Sequence, residues 1–263
     1  MTDNEETPIY QSRPDTNLQE HERYTFKGWI NKKDFVNQDT IPTIINLSTI
    51  KVNQGTVPEF YPYYEIEDAT KVATSIDYFD VQEMEFTFTL TKFIDNNGNT
   101  EDEIIRVKEN VISLKPEYRN FLSGKITLPS RDKNGKYITG LGILSANNVT
   151  HVYFLSDAQY EVLGQINNGN SGFSAMRKLQ LVYFPENMTS LKYIGDSCFN
   201  NIMQSLKKIH NLPNSIEYIG SQGFKWCQEL ELNKLPSSLK YIGPSAFYGC
   251  YKVSFSTIPH GCT

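Results

Sequence analysis

Few residues of this chain have the spacing that nucleophilic or metal chemistry requires. None of its four histidines lies with a cysteine, aspartate or glutamate at the spacing of metal ligands. The motifs of zinc proteases, paired cysteines, serine nucleophiles and phosphate loops do not occur in the sequence. The residues concerned are His21, His151, His210 and His260, with Cys198, Cys227, Cys250 and Cys262. The sequence therefore predicts a non-enzymatic protein with no catalytic residue, no cofactor and no metal site.

One acidic stretch, residues 95–103, has the composition of a calcium-binding loop. Such a loop needs glycine at its sixth position and glutamate at its twelfth. Counting from Asp95, those positions hold Thr100 and Arg106, so the pattern fails. Asn97-Gly98 is instead a strong hairpin signal, and the stretch is predicted to be an acidic hairpin tip.

The elements that would position a binding site are repeats in the second half of the chain. The phrases LKYIGDSCF, IEYIGSQGF and LKYIGPSAF begin at Leu191, Ile216 and Leu239, which are 25 and 23 positions apart. Phe173 and Pro185 mark an earlier and more degenerate copy. A period of this length is typical of a solenoid, in which each repeat forms one coil and buries its apolar residues against its neighbours.

The repeated positions indicate separate structural roles. Apolar residues before each proline step by two positions, which predicts a short strand with one buried face. The phenylalanine of each phrase is predicted to fill the coil interior, and the residue three positions later a small buried slot. The slot residues are Met176, Ile202, Cys227 and Cys250. Gly195, Gly220 and Gly243 are expected at corners where the backbone needs a positive φ. Cysteines in such a slot favour reduced thiols over disulfides.

This repeat pattern resembles the BspA-type leucine-rich repeats, whose consensus is roughly L-x-x-I-x-LP-x-x-L-x-x-IG-x-x-AF-x-x-C. The stretch ELELNKLPSSLKYIGPSAFYGC, residues 229–250, fits it nearly throughout. The resemblance implies a solenoid of short strands and a binding or adhesive role rather than catalysis. Family members occur on bacterial surfaces, in protists and in bacteriophage virion proteins. The segments ITLPS, NGK, ITGLG and VTHVYF add a weaker likeness to phage structural proteins that carry such repeats.

Candidate binding residues are those predicted to point outward from the strand ladder or to follow the repeat phenylalanine. Trp226 and Tyr248 either pack between coils or form a contact platform for a partner, since tryptophan and tyrosine are favoured interface anchors. The ladder residues could bind protein or glycan, or could be an ordinary solvated face. The predicted outward residues are Gln180, Val182, Tyr183, His210, Asn211, Glu231, Asn233, Lys234, Ser254, Ser256 and Thr257.

The first half of the chain has a different pattern. Residues 1–22 are polar and are predicted to be an extended or disordered arm. Residues 23–115 are predicted to form a small antiparallel β-sandwich, immunoglobulin-like, with its clearest alternation at residues 84–90. Its predicted strands are residues 24–30, 42–52, 60–66 and 84–94. Residues 116–123 are expected to be a hinge. Residues 124–263 are predicted to be the leucine-rich-repeat solenoid with irregular opening coils, which makes the fold class mostly β.

Composition narrows the functions that remain. The net charge is −5 with dispersed basic residues, which speaks against nucleic-acid binding. No apolar run reaches the roughly 18 residues of a membrane span, and the polar N-terminus does not resemble a signal peptide. A protein exported without a signal could leave the cell inside an assembled particle.

The leading hypothesis is therefore a structural or attachment protein of a bacteriophage virion, in the tail, baseplate, collar or head fibre. Its partners would be other virion proteins, or a host surface protein or glycan, within a homo-oligomer or larger assembly. The alternative hypothesis is a cell-surface adhesin or recognition protein of a bacterium or protist. That alternative requires an export route that the sequence does not show, or else a cytoplasmic location.

Overall fold

The structure, a computed structural model, describes residues 19–31, 44–45, 60–93, 98–164, 172–174 and 176–263. These residues are nearly all β-strand and turn, with two short 3-10 turns at Ile76–Tyr78 and Pro116–Tyr118. The chain divides into two compact units, Met1–Ala69 and Thr70–Thr263. The predicted mostly-β class is confirmed, whereas the predicted arm lies almost wholly outside the described residues.

The first unit contains an antiparallel pair of strands, β1 (Glu22–Asn31) and β2 (Phe60–Asp68). Both were predicted from aromatic and β-branched residues, and both are confirmed. The pairing runs from Glu22 opposite Asp68 to Asn31 opposite Phe60, with a bulge between Phe26 and Gly28. The strand predicted at residues 42–52 lies outside the described residues except at residues 44–45.

The second unit contains two sheets whose short strands alternate along the chain. The seven-stranded sheet contains β3 (Phe79–Phe93), β4 (Thr100–Leu114), β6 (Gly140–Leu141), β8 (Val162–Leu163), β10 (Tyr193–Ile194), β12 (Tyr218–Ile219) and β13 (Tyr241–Ile242). The four-stranded sheet contains β5 (Ser123–Leu128), β7 (Asn148–Phe154), β9 (Leu181–Tyr183) and β11 (Lys208–His210). From β4 onward neighbouring strands are parallel, as the coils of a solenoid require.

Each coil sends one column of apolar side chains inward from each sheet. The column of the seven-stranded sheet is Ile112, Leu141, Leu163, Ile194, Ile219 and Ile242. The column of the four-stranded sheet is Ile126, Val152, Val182 and Ile209. Because these residues are in register, aliphatic side chains of successive coils stack on one another. One core therefore runs through the whole solenoid.

The repeat phenylalanines form a continuous stack inside this core. Ring centroids of Phe173, Phe199, Phe224 and Phe247 follow one another at 4.7, 4.8 and 5.2 Å, with the planes within 14° of parallel. The first three rings are fully buried. The predicted interior role of these residues is confirmed, as is the degenerate copy that begins at Phe173. The slot residues Met176, Ile202 and Cys227 are also fully buried, and Cys250 is half-buried.

The repeat glycines have a different role from the one expected. Gly220 and Gly243 do not adopt positive φ. A Cβ on Gly220 would lie 2.7 Å from the backbone carbonyl carbon of Gly195, and one on Gly243 would lie 2.5 Å from the backbone nitrogen of Ser221. These positions require glycine because adjacent coils bring their backbones into contact there. The prediction of a positive-φ corner is therefore wrong for both residues.

Strands β3 and β4 form a long antiparallel hairpin at the end of the seven-stranded sheet, and β3 packs on the outer face of the later strands β8, β10, β12 and β13. Only Val111 and Ile112 of β4 pair with β6, while Phe88 of β3 reaches β10 and β12. Its ring stacks on Tyr193 at 4.3 Å and meets Tyr218 edge-on at 5.1 Å. The predicted alternation at residues 84–90 is confirmed, with one side of the strand buried and the other exposed. What that buried side covers is the row of repeat tyrosines.

The predicted sandwich of residues 23–115 is not seen among the described residues. Its predicted strands divide between the two units, and the dividing point lies between Ala69 and Thr70. Residues 116–123 connect β4 to β5 inside the second unit through the turn Pro116–Tyr118. The physical reason is that the apolar side of β3 finds its packing partner on the repeats, so the hairpin needs no second sheet of its own.

Candidate binding surface

The turns that follow each strand of the seven-stranded sheet form a ladder of their own. The amide of Asn201 donates to the carbonyl of Lys225 at 3.0 Å, and the amide of Trp226 donates to that of Tyr248 at 2.8 Å. In the turns that follow β10, β12 and β13, two positions adopt positive φ. They are Ser197, Gln222 and Ser245 at the first position, and Asn201, Trp226 and Gly249 at the second. The left-handed residues aim successive amides along the solenoid axis, which explains why they recur.

Three aromatic residues lie on the outside of these turns, and we call them the aromatic ridge: Trp226, Tyr248 and Tyr251. The side chains of Tyr248 and Tyr251 are 58% and 74% exposed, and Trp226 is partly exposed. The counterparts of these three residues in the neighbouring coils are Asn200, Asn201, Met203, Lys225, Gln228 and Gly249. Since other coils form the same turn without aromatic residues, the fold does not require them here.

Trp226 has a backbone conformation that bulky residues rarely adopt. Its φ is +64°, and the same position holds Asn201 at +64° and Gly249 at +78° in adjacent coils. Asparagine and glycine tolerate this region, whereas another L-residue loses about 1–2 kcal/mol there. The indole also lies against Gly249, where an added Cβ would be 2.4 Å from its Cε3 atom. Trp226 and Gly249 therefore form a matched pair, in which the glycine leaves room for the indole.

The ridge has one basic group beside its rings. The Trp226 and Tyr248 rings meet edge to face, with centroids 5.1 Å apart at 85°. The Lys225 ammonium lies 6.0 Å from the Tyr248 centroid and donates to Gln222 Oε1 at 3.2 Å. Lys225 makes no ion pair with any residue that the structure describes. Farther along the same turns, by contrast, Lys252 pairs with Glu229 at 2.6 Å, which raises the pKa of that lysine.

A second cluster lies on the outer face of the four-stranded sheet, and we call it the sheet face: Tyr153, Tyr183 and His210. The three residues are in register on β7, β9 and β11, and successive ring centroids are 5.7 Å apart. Tyr153 is buried, with 1% of its surface exposed, while Tyr183 and His210 are partly exposed. Sequence reasoning missed Tyr153, although the tripeptide VYF occurs at both residues 152–154 and residues 182–184.

The predicted strip of outward residues is thus divided. Tyr183 and His210 come together on the sheet face, and Trp226 and Tyr248 come together on the aromatic ridge. Val182 is fully buried in the inward column, so its predicted outward position is wrong. Asn211 has a φ of +53° and donates from Nδ2 to the carbonyl of Phe184 at 3.0 Å. Glu231, Asn233 and Lys234 are exposed on the following coil.

Residues 164–263 match the family model described as BspA type leucine rich repeat region, in 6 copies. This part of the chain, less than half of its 263 residues, is similar to BspA-type leucine-rich repeats. No curated protein matches the chain. The resemblance stated from the sequence is confirmed for the BspA-type repeats, and the likeness to phage virion proteins is not shown.

Two solved structures are similar in fold to this chain. One is a leucine rich cell surface protein from Faecalibacterium prausnitzii A2-165, at 19% identity and a TM-score of 0.45, covering 68% of this chain. The alignment spans 44% of the Faecalibacterium chain, less than half its length. The other is the T. pallidum leucine rich repeat protein, at 18% identity and a TM-score of 0.40, covering 72% of this chain and 84% of that one.

The cysteines of the BspA-type repeats have a structural role. Cys227 Sγ lies 3.1 Å from the carbonyl oxygen of Phe199, and Cys250 Sγ lies 2.9 Å from that of Phe224, so each thiol donates to the preceding coil. All four cysteines are free thiols. Burial raises the pKa of the Cys198 and Cys227 thiols, which disfavours the reactive thiolate. Within the described residues, no group of three or more His, Cys, Asp or Glu could hold a metal ion.

Membrane insertion through a helix has no support in the part of the chain that the structure describes. None of its helices is long and apolar enough to cross a bilayer.

Proposed function

We propose that this chain is a non-enzymatic recognition protein, of the kind that acts at the surface of a bacterial or protist cell. In this proposal the BspA-type solenoid is a scaffold, and the aromatic ridge is its binding surface. The observation that carries the proposal is the exposure of Trp226, Tyr248 and Tyr251 at turn positions where neighbouring coils have no aromatic residue.

The energetics of the ridge support a binding role. Trp226 keeps a positive φ that costs about 1–2 kcal/mol for such a residue, although asparagine or glycine would satisfy the same turn. Tyrosine and tryptophan are the residues that most often carry binding energy in interfaces, because they offer a large contact area with few rotatable bonds. A costly residue at an exposed position is thus explained by a partner that contacts it.

The family also favours binding over catalysis, since BspA-type repeats are associated with recognition and adhesion. The virion hypothesis stays a prediction with no support from the family match or the similar structures. The predicted homo-oligomer likewise stays a prediction, which light scattering on the purified chain would measure.

The experiment that tests the proposal is binding of the fluorescently labelled chain to a panel of intact bacterial and epithelial cells, measured by flow cytometry. The test variant combines Trp226→Asn with Tyr248→Asn. The control is Ile104→Thr, which removes an exposed apolar residue from β4, where Ile104 is 58% exposed.

We expect the native chain and the control to label at least one cell type, and the ridge variant to lose about tenfold or more in apparent affinity, equivalent to 1.4 kcal/mol. Equal labelling by all three proteins would contradict a role for the ridge. Failure of the native chain to label any cell would overturn surface recognition.

A further inference from the structure

We infer that the aromatic ridge binds an anionic sugar unit of a glycan, with Trp226 and Tyr248 packing on the sugar ring and Lys225 pairing with its carboxylate or sulfate. This inference rests on the proposed function, because it names the ligand class for the same surface. It is carried by three observations: the size of the ridge, the arrangement of its rings and the position of its basic group.

The ridge is too small for a standard protein interface. It consists of three side chains from two adjacent coils, and neighbouring strands of such coils lie about 4.8 Å apart. An aromatic side chain buries about 150–250 Å² when fully covered, and Trp226 is already partly buried by its own fold. The ridge therefore offers well under the roughly 800 Å² per partner of a stable protein complex. It matches the dimensions of one or two pyranose rings.

The two rings meet at a steep angle, and much of Tyr248 stays exposed. Because Trp226 meets Tyr248 at 85° rather than in a stack, the two rings form a corner. Tyr248 keeps 58% of its surface exposed in that corner. A pyranose ring has one face made of C–H groups, and this face packs against an aromatic ring by dispersion and by the release of water from both surfaces.

The basic group lies where a sugar substituent would reach it. Lys225 places its ammonium over the Tyr248 ring, 6.0 Å from the centroid. Lys252 on the neighbouring coil is already neutralised by Glu229, so Lys225 supplies the unpaired positive charge of this part of the described surface. The amide of Gln222, which accepts from Lys225, adds a hydrogen-bonding group at the edge of the corner. A carboxylate or sulfate on a stacked sugar would find both a cation and a donor there.

The test is isothermal titration of the full chain with three defined oligosaccharides. They are a heparin tetrasaccharide, which carries sulfate and carboxylate, a polygalacturonate tetrasaccharide, which carries carboxylate alone, and neutral maltotetraose. The variants are Lys225→Gln and Trp226→Asn, and the control is Lys207→Gln, which removes an exposed lysine just before β11, outside the turns that contain the ridge. Circular dichroism and a thermal melt establish that each variant is folded.

We expect the native chain to bind one or both anionic sugars about tenfold or more tightly than maltotetraose. Lys225→Gln should abolish that preference, Trp226→Asn should weaken binding of every sugar, and Lys207→Gln should change nothing. The comparison of heparin with polygalacturonate separates sulfate from carboxylate recognition.

Three results would overturn the inference. They are equal binding of neutral and anionic sugars, an equal loss of affinity in Lys207→Gln and Lys225→Gln, and absence of binding to all three sugars. If the native chain still labels cells through the ridge while all three sugars fail, the proposed recognition function stands and the ligand class assigned here is wrong. If the labelling of cells fails as well, both are wrong.

Discussion

Two of the aromatic rows on the outside of this solenoid differ in what covers them. The first row is Tyr193, Tyr218 and Tyr241, one from each repeat phrase, and the β3–β4 hairpin packs over it. The second row is the aromatic ridge, whose Tyr248 and Tyr251 are the more exposed members. The covered row repeats one residue type in each of the last three coils, whereas the ridge changes residue type from coil to coil.

The difference teaches how to separate packing from recognition in a repeat protein. A residue that recurs at the coil period is required by the coil, or by an element that packs on all coils alike. A large exposed residue that departs from the period is required by neither. On this reasoning the tyrosine row should be important for stability and dispensable for binding, and the ridge should show the reverse.

The largest effect is expected from Phe88→Ala. The change removes the ring that packs on Tyr193 and Tyr218, and truncation of a buried phenylalanine typically costs about 3–5 kcal/mol. Urea unfolding followed by circular dichroism would measure the loss. Ile104→Val, at an exposed position of the same hairpin, should change stability little. A loss below about 1 kcal/mol would mean that the hairpin does not pack on the row.

A smaller loss is expected from Gly243→Ala. The added Cβ would meet the backbone of the neighbouring coil at 2.5 Å, and overpacking of this kind costs about 1–3 kcal/mol. Gly223→Ala is the matched control, because its Cβ would meet the Ile219 side chain at 3.1 Å and the equivalent positions already hold Cys198 and Ala246. Equal melting temperatures for the two variants would refute the close approach of the coils.

A pH-dependent effect on stability is expected from Glu109, a buried residue of β4. Burial raises the pKa of this carboxyl above its ordinary value, and the nearby Glu161 carboxylate raises it further, against a hydrogen bond from Thr139. The folded state therefore holds the proton more tightly than the unfolded state. As a result, the free energy of unfolding falls as the pH rises from the unfolded pKa through the folded one.

Glu109→Gln should remove this loss. The variant should match the native protein near pH 4 and exceed it in stability at pH 8, as measured by urea unfolding at both values. Glu101→Gln, on the exposed part of the same strand, is the control. If the free energies of unfolding of the native protein and Glu109→Gln differ by the same amount at both pH values, the raised pKa of Glu109 is contradicted.

The smallest effect on stability is expected from Trp226→Asn. Asparagine relieves the cost of positive φ, which offsets the contacts that the indole makes with Tyr248 and Gly249, so the net change should be within about 1 kcal/mol. A thermal melt would measure it. A change above 2 kcal/mol would show that the ridge is part of the packing, and the contrast between the two rows would then fail.

The sequence alone predicts the coils of this molecule well, because each coil position has one physical requirement. The period of Phe199, Phe224 and Phe247 is enough to place these residues inside, and the alternation of β3 is enough to give it one buried side. The partner of that side was not predictable, since alternation identifies a buried face without saying what buries it. The sandwich prediction assumed that a second sheet covers the apolar side of β3, whereas in the structure the repeats cover it.

The candidate site was predictable only in part. Trp226 and Tyr248 stand out in the sequence as large residues beside a repeat position, but the positive φ of Trp226 is not visible there, because tryptophan rarely has one. The pairing of Trp226 with Gly249 depends on how two coils stack, which only the folded structure shows. Val182 was misplaced because the outward face cannot be assigned without knowing the register of the strand.

The four free cysteines give this solenoid a built-in set of chemical reporters. Cys198 and Cys227 are fully buried, while Cys250 and Cys262 are partly exposed on the last coil. An alkylating reagent should therefore label the last coil in the native protein and reach the inner thiols only as coils separate. The order of labelling along a urea gradient, read by mass spectrometry, would show whether this protein unravels one coil at a time from its C-terminal side or opens all at once.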